Sequence, residues 1–322
     1  MGLKNKNLFP KRVNWFITNK CNLKCKYCYL PQSFWSQKEK VSIKELFFAL
    51  SNKNISQIDI LGGEPFLEKE KLIFIFRTCQ NSRIKIKSIS TNGIILDNEI
   101  LSELRKIKGL VVQVSLDAST PQTYKKVRGF PYFLKVVKNI NLLVKNKIRT
   151  ILSFVITKEN RKEIKSFIKL SEELEVEGVS FGAFVPVGRG GYIENLMISF
   201  DEIHGILRLI ENIKSSLKIF GIKEKGCSAG TKEIAMLQNG DLYPCGLLIS
   251  FREAKIGNIF NNNIFLNNKW FLKFINLKPP PLCHSCSLPS LCCGACKAFI
   301  YKKSLNTKKY INYLKFPCKN LT

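Results

Sequence analysis

Thr18-Asn-Lys-Cys-Asn-Leu-Lys-Cys-Lys-Tyr-Cys-Tyr29 decides how the rest of the chain is read. Cys21, Cys25 and Cys28 stand at C-x3-C-x2-C spacing, directly after the apolar run Val13-Asn-Trp-Phe-Ile17. A strand ending in a tight loop with three thiolates can hold three irons of a four-iron cluster and leave the fourth iron open. An open iron is a place for chemistry, whereas a fully ligated cluster mainly carries electrons. A structural zinc loop is the competing reading. Structural zinc normally takes four protein ligands, and no fourth Cys or His lies near this loop. The ligand count therefore favours an iron–sulfur cluster.

Outward from the loop, apolar strands alternate with helical stretches. Val41–Leu50 has helical periodicity, with Ser42 as its N-cap. The strand Gln57–Leu61 ends in Gly62-Gly63-Glu64-Pro65, a helix follows near Glu68–Gln80, and the strand Ile84–Ile89 ends in Ser90-Thr91-Asn92-Gly93. A helix near Asn98–Ile107 leads to the strand Leu110–Val114, which ends in Ser115-Leu116-Asp117. A helix over Phe133–Asn146, the strand Arg149–Val155, a helix over Arg161–Leu174 and the strand Gly178–Phe184 complete the series, and Pro186-Val-Gly-Arg-Gly190 then breaks it. Six strand–helix units imply an α/β fold, a partial (β/α)6 TIM-like barrel over residues 1–215. The polar and glycine-rich motifs fall just after strands, so the fold gathers them at one mouth, where such barrels do their chemistry. Two glycines in the Gly62–Pro65 motif let a ligand approach the backbone, and the Glu64 carboxylate can accept from an ammonium group.

Beyond residue 215 the texture changes, with a boundary expected near 215–225. Ile234–Cys245 reads as a β-hairpin with Asn239-Gly240 as a type I′ turn. Residues 216–322 then form a small cysteine-rich domain, approached through Pro279-Pro-Pro281. The chain has 322 residues, of which 12 are cysteines. The opening Met-Gly-Leu-Lys-Asn-Lys is polar and basic and lacks the apolar centre of a secretory signal. Cysteines clustered at C-x2-C spacing in such a chain point to metal rather than disulfides, in the cytoplasm. No apolar run approaches a membrane span, and the short lead-in leaves no room for a separate leader-binding domain. The net charge of +28 comes from lysines scattered along the whole chain. Without a localised basic block, it argues for general composition over a nucleic-acid site.

The loop with Tyr27 as its aromatic, followed one β/α unit later by Gly62-Gly63-Glu64-Pro65, resembles a radical S-adenosylmethionine (SAM) enzyme. Cys227, twelve residues, Gly240, four residues and Cys245, then Cys283-x2-Cys286-x5-Cys292-x3-Cys296 and finally Cys318, resemble the seven-cysteine SPASM extension of radical SAM maturases. This likeness spans nearly the whole chain. It implies that Cys21, Cys25 and Cys28 hold a [4Fe–4S] cluster whose open iron is chelated by SAM, and that one electron cleaves SAM to a 5′-deoxyadenosyl radical that abstracts hydrogen from a substrate. It further implies that Tyr27, Gly62, Gly63, Glu64, Pro65, Asn92, Ser115, Asp117 and Arg128 line the SAM site, with Arg128 reaching the SAM carboxylate. Asn92-Gly93 as a plain turn and Asp117 as a helix cap remain the structural alternatives.

By the same resemblance, Cys283, Cys286, Cys292 and Cys318 ligate an outer auxiliary cluster, and Cys227, Cys245 and Cys296 an inner one. That makes three [4Fe–4S] clusters, the inner one short of a cysteine and so expected to have an exchangeable site. Cys293 is expected to be a non-ligand thiol and Cys79 a core residue. The enzyme class implied is an oxidoreductase or maturase acting on a peptide or protein. Sulfatase maturation is disfavoured, because Gly246 stands where those enzymes carry an acidic residue. Val185–Gly190 and Cys292–Ala298 also resemble segments of haem-pathway tetrapyrrole enzymes and quinone-cofactor maturases, so a cofactor-precursor substrate is the alternative, and a non-enzymatic electron-transfer protein a third. The electron donor is expected to be a ferredoxin or flavodoxin, acidic proteins that a basic surface steers in.

Overall fold

The computed structural model describes residues 9–221, 227–261, 268–277 and 296–304. Among these residues ten strands form one sheet: β1 (Arg12–Phe16), β2 (Gln57–Leu61), β3 (Lys85–Thr91), β4 (Val111–Ser115), β5 (Arg149–Ile156), β6 (Gly178–Ala183), β7 (Lys218–Phe220), β8 (Glu233–Met236), β9 (Asp241–Tyr243) and β10 (Gly257–Asn258). Their order is β10-β9-β8-β1-β2-β3-β4-β5-β6-β7. From β1 to β7 every neighbouring pair is parallel. This is the expected parallel α/β arrangement, left open rather than closed into a barrel, because β8 takes the outer edge of β1.

Among the described residues ten helices accompany the sheet: α1 (Gln32–Trp35), α2 (Ile43–Ser51), α3 (Lys69–Gln80), α4 (Asn98–Arg105), α5 (Pro121–Arg128), α6 (Phe133–Lys145), α7 (Ile164–Glu173), α8 (Phe200–Asn212), α9 (Lys269–Ile275) and α10 (Lys297–Ser304). Ser42 caps α2 as expected, in a reciprocal capping box with Glu45. In β3, β4 and β5 buried apolar positions alternate with partly exposed, often polar ones, so one face of these strands packs in the core and the other meets the cavity side. Cys79 is buried on α3 within this core. Among the described residues no helix is long and apolar enough to cross a membrane.

The sequence boundary near 215–225 contains β7, and the sheet takes in strands on both sides of it. β8 runs parallel to β1, with Arg12 opposite Glu233 and Trp15 opposite Met236. A second apolar cluster joins Phe16, Leu30 and Phe34 to Tyr243, Leu248, Phe274 and Ala298. The hairpin β8–β9 is present, but its turn is not type I′. A type I′ turn needs positive φ at both central residues, and here Gly240 (φ +83°) is left-handed while Asn239 is not. Gly240 N donates to Leu237 O at 2.9 Å, closing a tight turn ahead of the left-handed glycine.

Candidate active site

Because β1 to β6 are parallel, their C-terminal ends open on one side, and the segments after them line a cavity of about 350 Å³, within the size range of small-molecule sites. Cys21, Cys25, Cys28 and Tyr27 line it from the β1 loop, Gly62 and Gly63 from β2, Asn92 from β3, and Ser115, Asp117 and Arg128 from β4 and α5. Ten of the twelve residues expected around the first cluster and SAM line this cavity, and the other two, Glu64 and Pro65, are buried directly after Gly63.

The cysteine loop is bolted to the β2 loop through backbone. Ile17 N donates to Leu61 O at 2.9 Å, Gly63 N to Thr18 O at 2.9 Å, and Glu64 N to Lys20 O at 2.8 Å. A Cβ on Gly63 would lie 2.2 Å from Lys20 O, and one on Gly62 would lie 2.8 Å from Thr18 O. These glycines therefore serve the close approach of the two loops. The Glu64 carboxylate is fully buried and turned toward β3, accepting from Thr91 Oγ1 and Asn92 N, each at 2.7 Å, and from Phe66 N at 3.0 Å. Burial pushes its pKa up, and these donors oppose that shift. Glu64 thus fixes the tips of β2 and β3 relative to each other. Asn92 is locked in turn: its Nδ2 donates to Asn22 Oδ1 at 2.7 Å in the cysteine loop, and its Oδ1 accepts from Ile94 N at 3.0 Å.

Asp117 is the hub of the next strand tip. It adopts φ +57°, an uncommon conformation for a non-glycine residue. Its Oδ1 accepts from Val155 N at 2.6 Å, its Oδ2 meets Arg128 Nη2 at 2.6 Å, and Tyr27 OH donates to the same oxygen. Asn160 Nδ2 holds the Asp117 carbonyl at 2.9 Å. The helix-cap alternative for Asp117 is replaced by this network, because Thr120 caps α5. Arg128 reaches Cys25 Sγ at 3.8 Å through Nη1, lies 5.7 Å from the Tyr27 ring centroid, and keeps an enclosed Nε without a partner. A buried guanidinium beside a thiol, with a donor to spare, suits an anionic sulfur-rich group. Burial pushes Cys21 up to about 12 and Cys28 up to about 11, so in the metal-free chain both are neutral thiols. A metal must displace their protons to bind.

The segment after β6 closes on the cysteine loop. Arg189 N donates to Leu30 O at 3.1 Å and Gly190 N to Cys28 O at 3.0 Å. Gly188, at φ +63°, sits so close that a Cβ would lie 2.0 Å from Tyr29 O. From α10, Lys302 Nζ reaches the carbonyls of Pro186 and Gly191. This explains the placement of the Pro186–Gly190 motif.

Three thiols of the later part lie close together: Cys227 and Cys296 both raise the pKa of Cys245, and Cys227 raises that of Cys296. Burial is the main cause: Cys245 is pushed well up and Cys296 up to about 11, against backbone donors from Leu247, Leu248, Ala298 and Phe299. Among the described residues no three His, Cys, Asp or Glu side chains are spaced to hold a single metal ion. Cys283, Cys286, Cys292, Cys293 and Cys318 lie outside the described residues. A Cβ on Gly246 would come within 3.0 Å of the Phe16 ring and 3.2 Å of the Tyr29 ring, so the position excludes a carboxylate side chain without repacking.

Sequence reasoning missed Gln113 and Ser153 as cavity-lining residues. The signal was there: in Val111-Val-Gln-Val-Ser115 and Arg149-Thr-Ile-Leu-Ser-Phe-Val155, polar residues share the face of Ser115 at a period of two. It also missed α5, the helix that delivers Arg128, and α1, which delivers Trp35.

Residues 15–171 match the model of the Radical SAM superfamily. These residues, just under half of the chain, form a radical SAM domain, and the chain is an enzyme; proteins of that superfamily bind a [4Fe–4S] cluster and SAM. Among curated proteins, the GTP 3′,8-cyclase of Clostridium acetobutylicum is 28% identical, covering 79% of this chain and 86% of its own length. The antilisterial bacteriocin subtilosin biosynthesis protein AlbA of Bacillus subtilis is 26% identical, covering 94% of this chain and 69% of its own length. Among solved structures, Streptococcus suis SuiB bound to its precursor peptide SuiA shares the fold, with a TM-score of 0.73 at 17% identity over 91% of this chain and 73% of that one. So does anSMEcpe with bound AdoMet and Kp18Cys peptide, with a TM-score of 0.67 at 18% identity over 95% of this chain and 99% of that one.

Proposed function

We propose that this chain is a peptide-modifying radical SAM enzyme with auxiliary iron–sulfur clusters. The carrying observation is the convergence of Cys21, Cys25 and Cys28 with the tips of β2, β3 and β4 around one cavity. In this reading the three thiols hold a [4Fe–4S] cluster, and SAM lies against Tyr27, Gly62, Gly63, Asn92, Ser115, Asp117 and Arg128. Glu64 and Pro65 hold the frame behind them. When bound, the cluster and SAM supply reductive cleavage of SAM and hydrogen-atom abstraction from the substrate. The protein's own contribution is positional. Backbone bonds fix the cysteine loop on β2, the Asp117–Arg128 pair orients the charged wall, and the Pro186–Gly190 segment covers the loop and limits water.

Residues 216–322 provide the auxiliary centres. Cys227, Cys245 and Cys296 bind an inner cluster with one exchangeable site, and Cys283, Cys286, Cys292 and Cys318 bind an outer one, for three [4Fe–4S] clusters in all. A peptide substrate is favoured because the alignment with AlbA, a bacteriocin biosynthesis protein, runs over 94% of this chain. The alignment with the GTP cyclase stops at 79%. A ferredoxin or flavodoxin supplies electrons, and the reaction takes place in the cytoplasm. The test is to incubate the reconstituted enzyme, SAM and reductant with short peptides encoded beside its gene and, separately, with GTP. A mass change in a peptide supports the reading; conversion of GTP with no peptide change refutes it.

A further inference from the structure

Two arginines line the cavity, and they differ in kind. Arg128 is paired with Asp117 at 2.6 Å. Arg189 makes no ion pair and no side-chain hydrogen bond among the described residues, and its Nη1 is enclosed without a partner. Its guanidinium lies 5.1 Å from the Trp35 ring centroid, and its own backbone N is tied to Leu30 O at 3.1 Å. Trp35 is held in turn, because Asn19 Nδ2 donates to the carbonyls of Phe34, Trp35 and Gln37 at 3.2, 3.4 and 2.6 Å. The cation is thus fixed in position, close enough to the Cys28 thiol to lower its pKa but without a carboxylate partner among the described residues, a costly arrangement unless something neutralises it. It sits where the segment after β6 meets the segment after β1, in the cavity that Leu30, Leu61, Val185 and Leu247 also line. Apart from Tyr27 in the β1 loop, the residues proposed for SAM come from the tips of β2, β3 and β4 and from α5.

We propose that Arg189, stacked on Trp35, is a specificity-determining residue that binds a carboxylate of the substrate. A guanidinium presents paired N–H donors that match a carboxylate in bidentate fashion, which a lysine cannot reproduce. The proposal rests on the radical SAM reading of the cavity and adds which chemical group the substrate must present there.

The test uses the reconstituted full-length enzyme saturated with SAM, titrated calorimetrically with glutarate and with neutral glutaramide at constant ionic strength. Wild type binds glutarate and not glutaramide. Arg189→Met binds glutarate about tenfold or more weakly, in line with the loss of charged hydrogen bonds, and Arg189→Lys falls between, while SAM affinity is the same in all three. Equal glutarate binding in wild type and Arg189→Met, or none in wild type, overturns the proposal. So does a loss of SAM affinity in Arg189→Met that disappears when decarboxylated SAM is the ligand, which would assign Arg189 to SAM itself. Failure of wild type to cleave SAM would count against the radical SAM reading, not against carboxylate binding at Arg189.

Discussion

Arg128 Nη2 and Asp117 Oδ2 meet at 2.6 Å, and both side chains are buried, one delivered by the last residue of α5 and the other by the tip of β4. The pair sits between Tyr27 and Cys25. Breaking such a pair leaves an uncompensated buried charge, which costs about 3–5 kcal/mol, whereas replacing both partners by apolar residues is often close to neutral. Asp117→Ala should therefore destabilise the protein by about that amount in urea denaturation, and Asp117→Leu with Arg128→Met should recover much of it. The double variant should still fail to bind SAM, which separates folding from function. Equal stability of wild type and Asp117→Ala would contradict this account of the pair.

Gly63 faces Lys20 O at a distance no Cβ can tolerate, 2.2 Å. Gly63→Ala should push the cysteine loop off β2 and lower the iron retained after reconstitution. Gly182, on β6, has nothing within 4 Å of its hypothetical Cβ, so Gly182→Ala should leave iron content unchanged. A similar loss in both variants, measured by iron and sulfide analysis, would mean that the close approach of the two loops is not the reason for the glycine.

Strand–helix alternation, the three-cysteine loop and the glycine motif are local patterns, and each appears where expected. The sequence could not show that Glu64 points to Thr91 and Asn92 rather than into the cavity, because that depends on the tilt of β2 against β3. Nor could it show that β8 would join the edge of β1, a pairing separated by more than two hundred residues. The helix α5 was hidden because Pro121-Gln-Thr-Tyr-Lys-Lys-Val-Arg128 has few apolar residues to mark a periodicity.

The net charge of +28 predicts fast encounter with an acidic electron donor. Turnover limited by a ferredoxin or flavodoxin should fall steeply as salt rises from about 0.05 to 0.5 M, since screening shortens the reach of charge to a few ångströms. With dithionite as reductant the dependence should be weak. A salt-independent rate with the protein donor would show that charge does not guide the encounter.

Cys227, Cys245 and Cys296 form a separate thiol group behind the first loop. Replacing Cys245 by Ser should remove about four irons per chain, one cluster's worth, and leave SAM cleavage in the absence of substrate largely intact. Loss of SAM cleavage together with all iron would mean that the two groups assemble as one unit.

The most direct measurement is 5′-deoxyadenosine formation by the anaerobically reconstituted protein with SAM and a low-potential reductant, run beside a variant in which Cys21, Cys25 and Cys28 are all replaced by Ala. The account predicts 5′-deoxyadenosine and methionine in equal amounts from wild type and none from the variant, while the variant retains the iron held by the later cysteines. No SAM cleavage by a wild-type protein with full iron content, or equal cleavage by the variant, would contradict it.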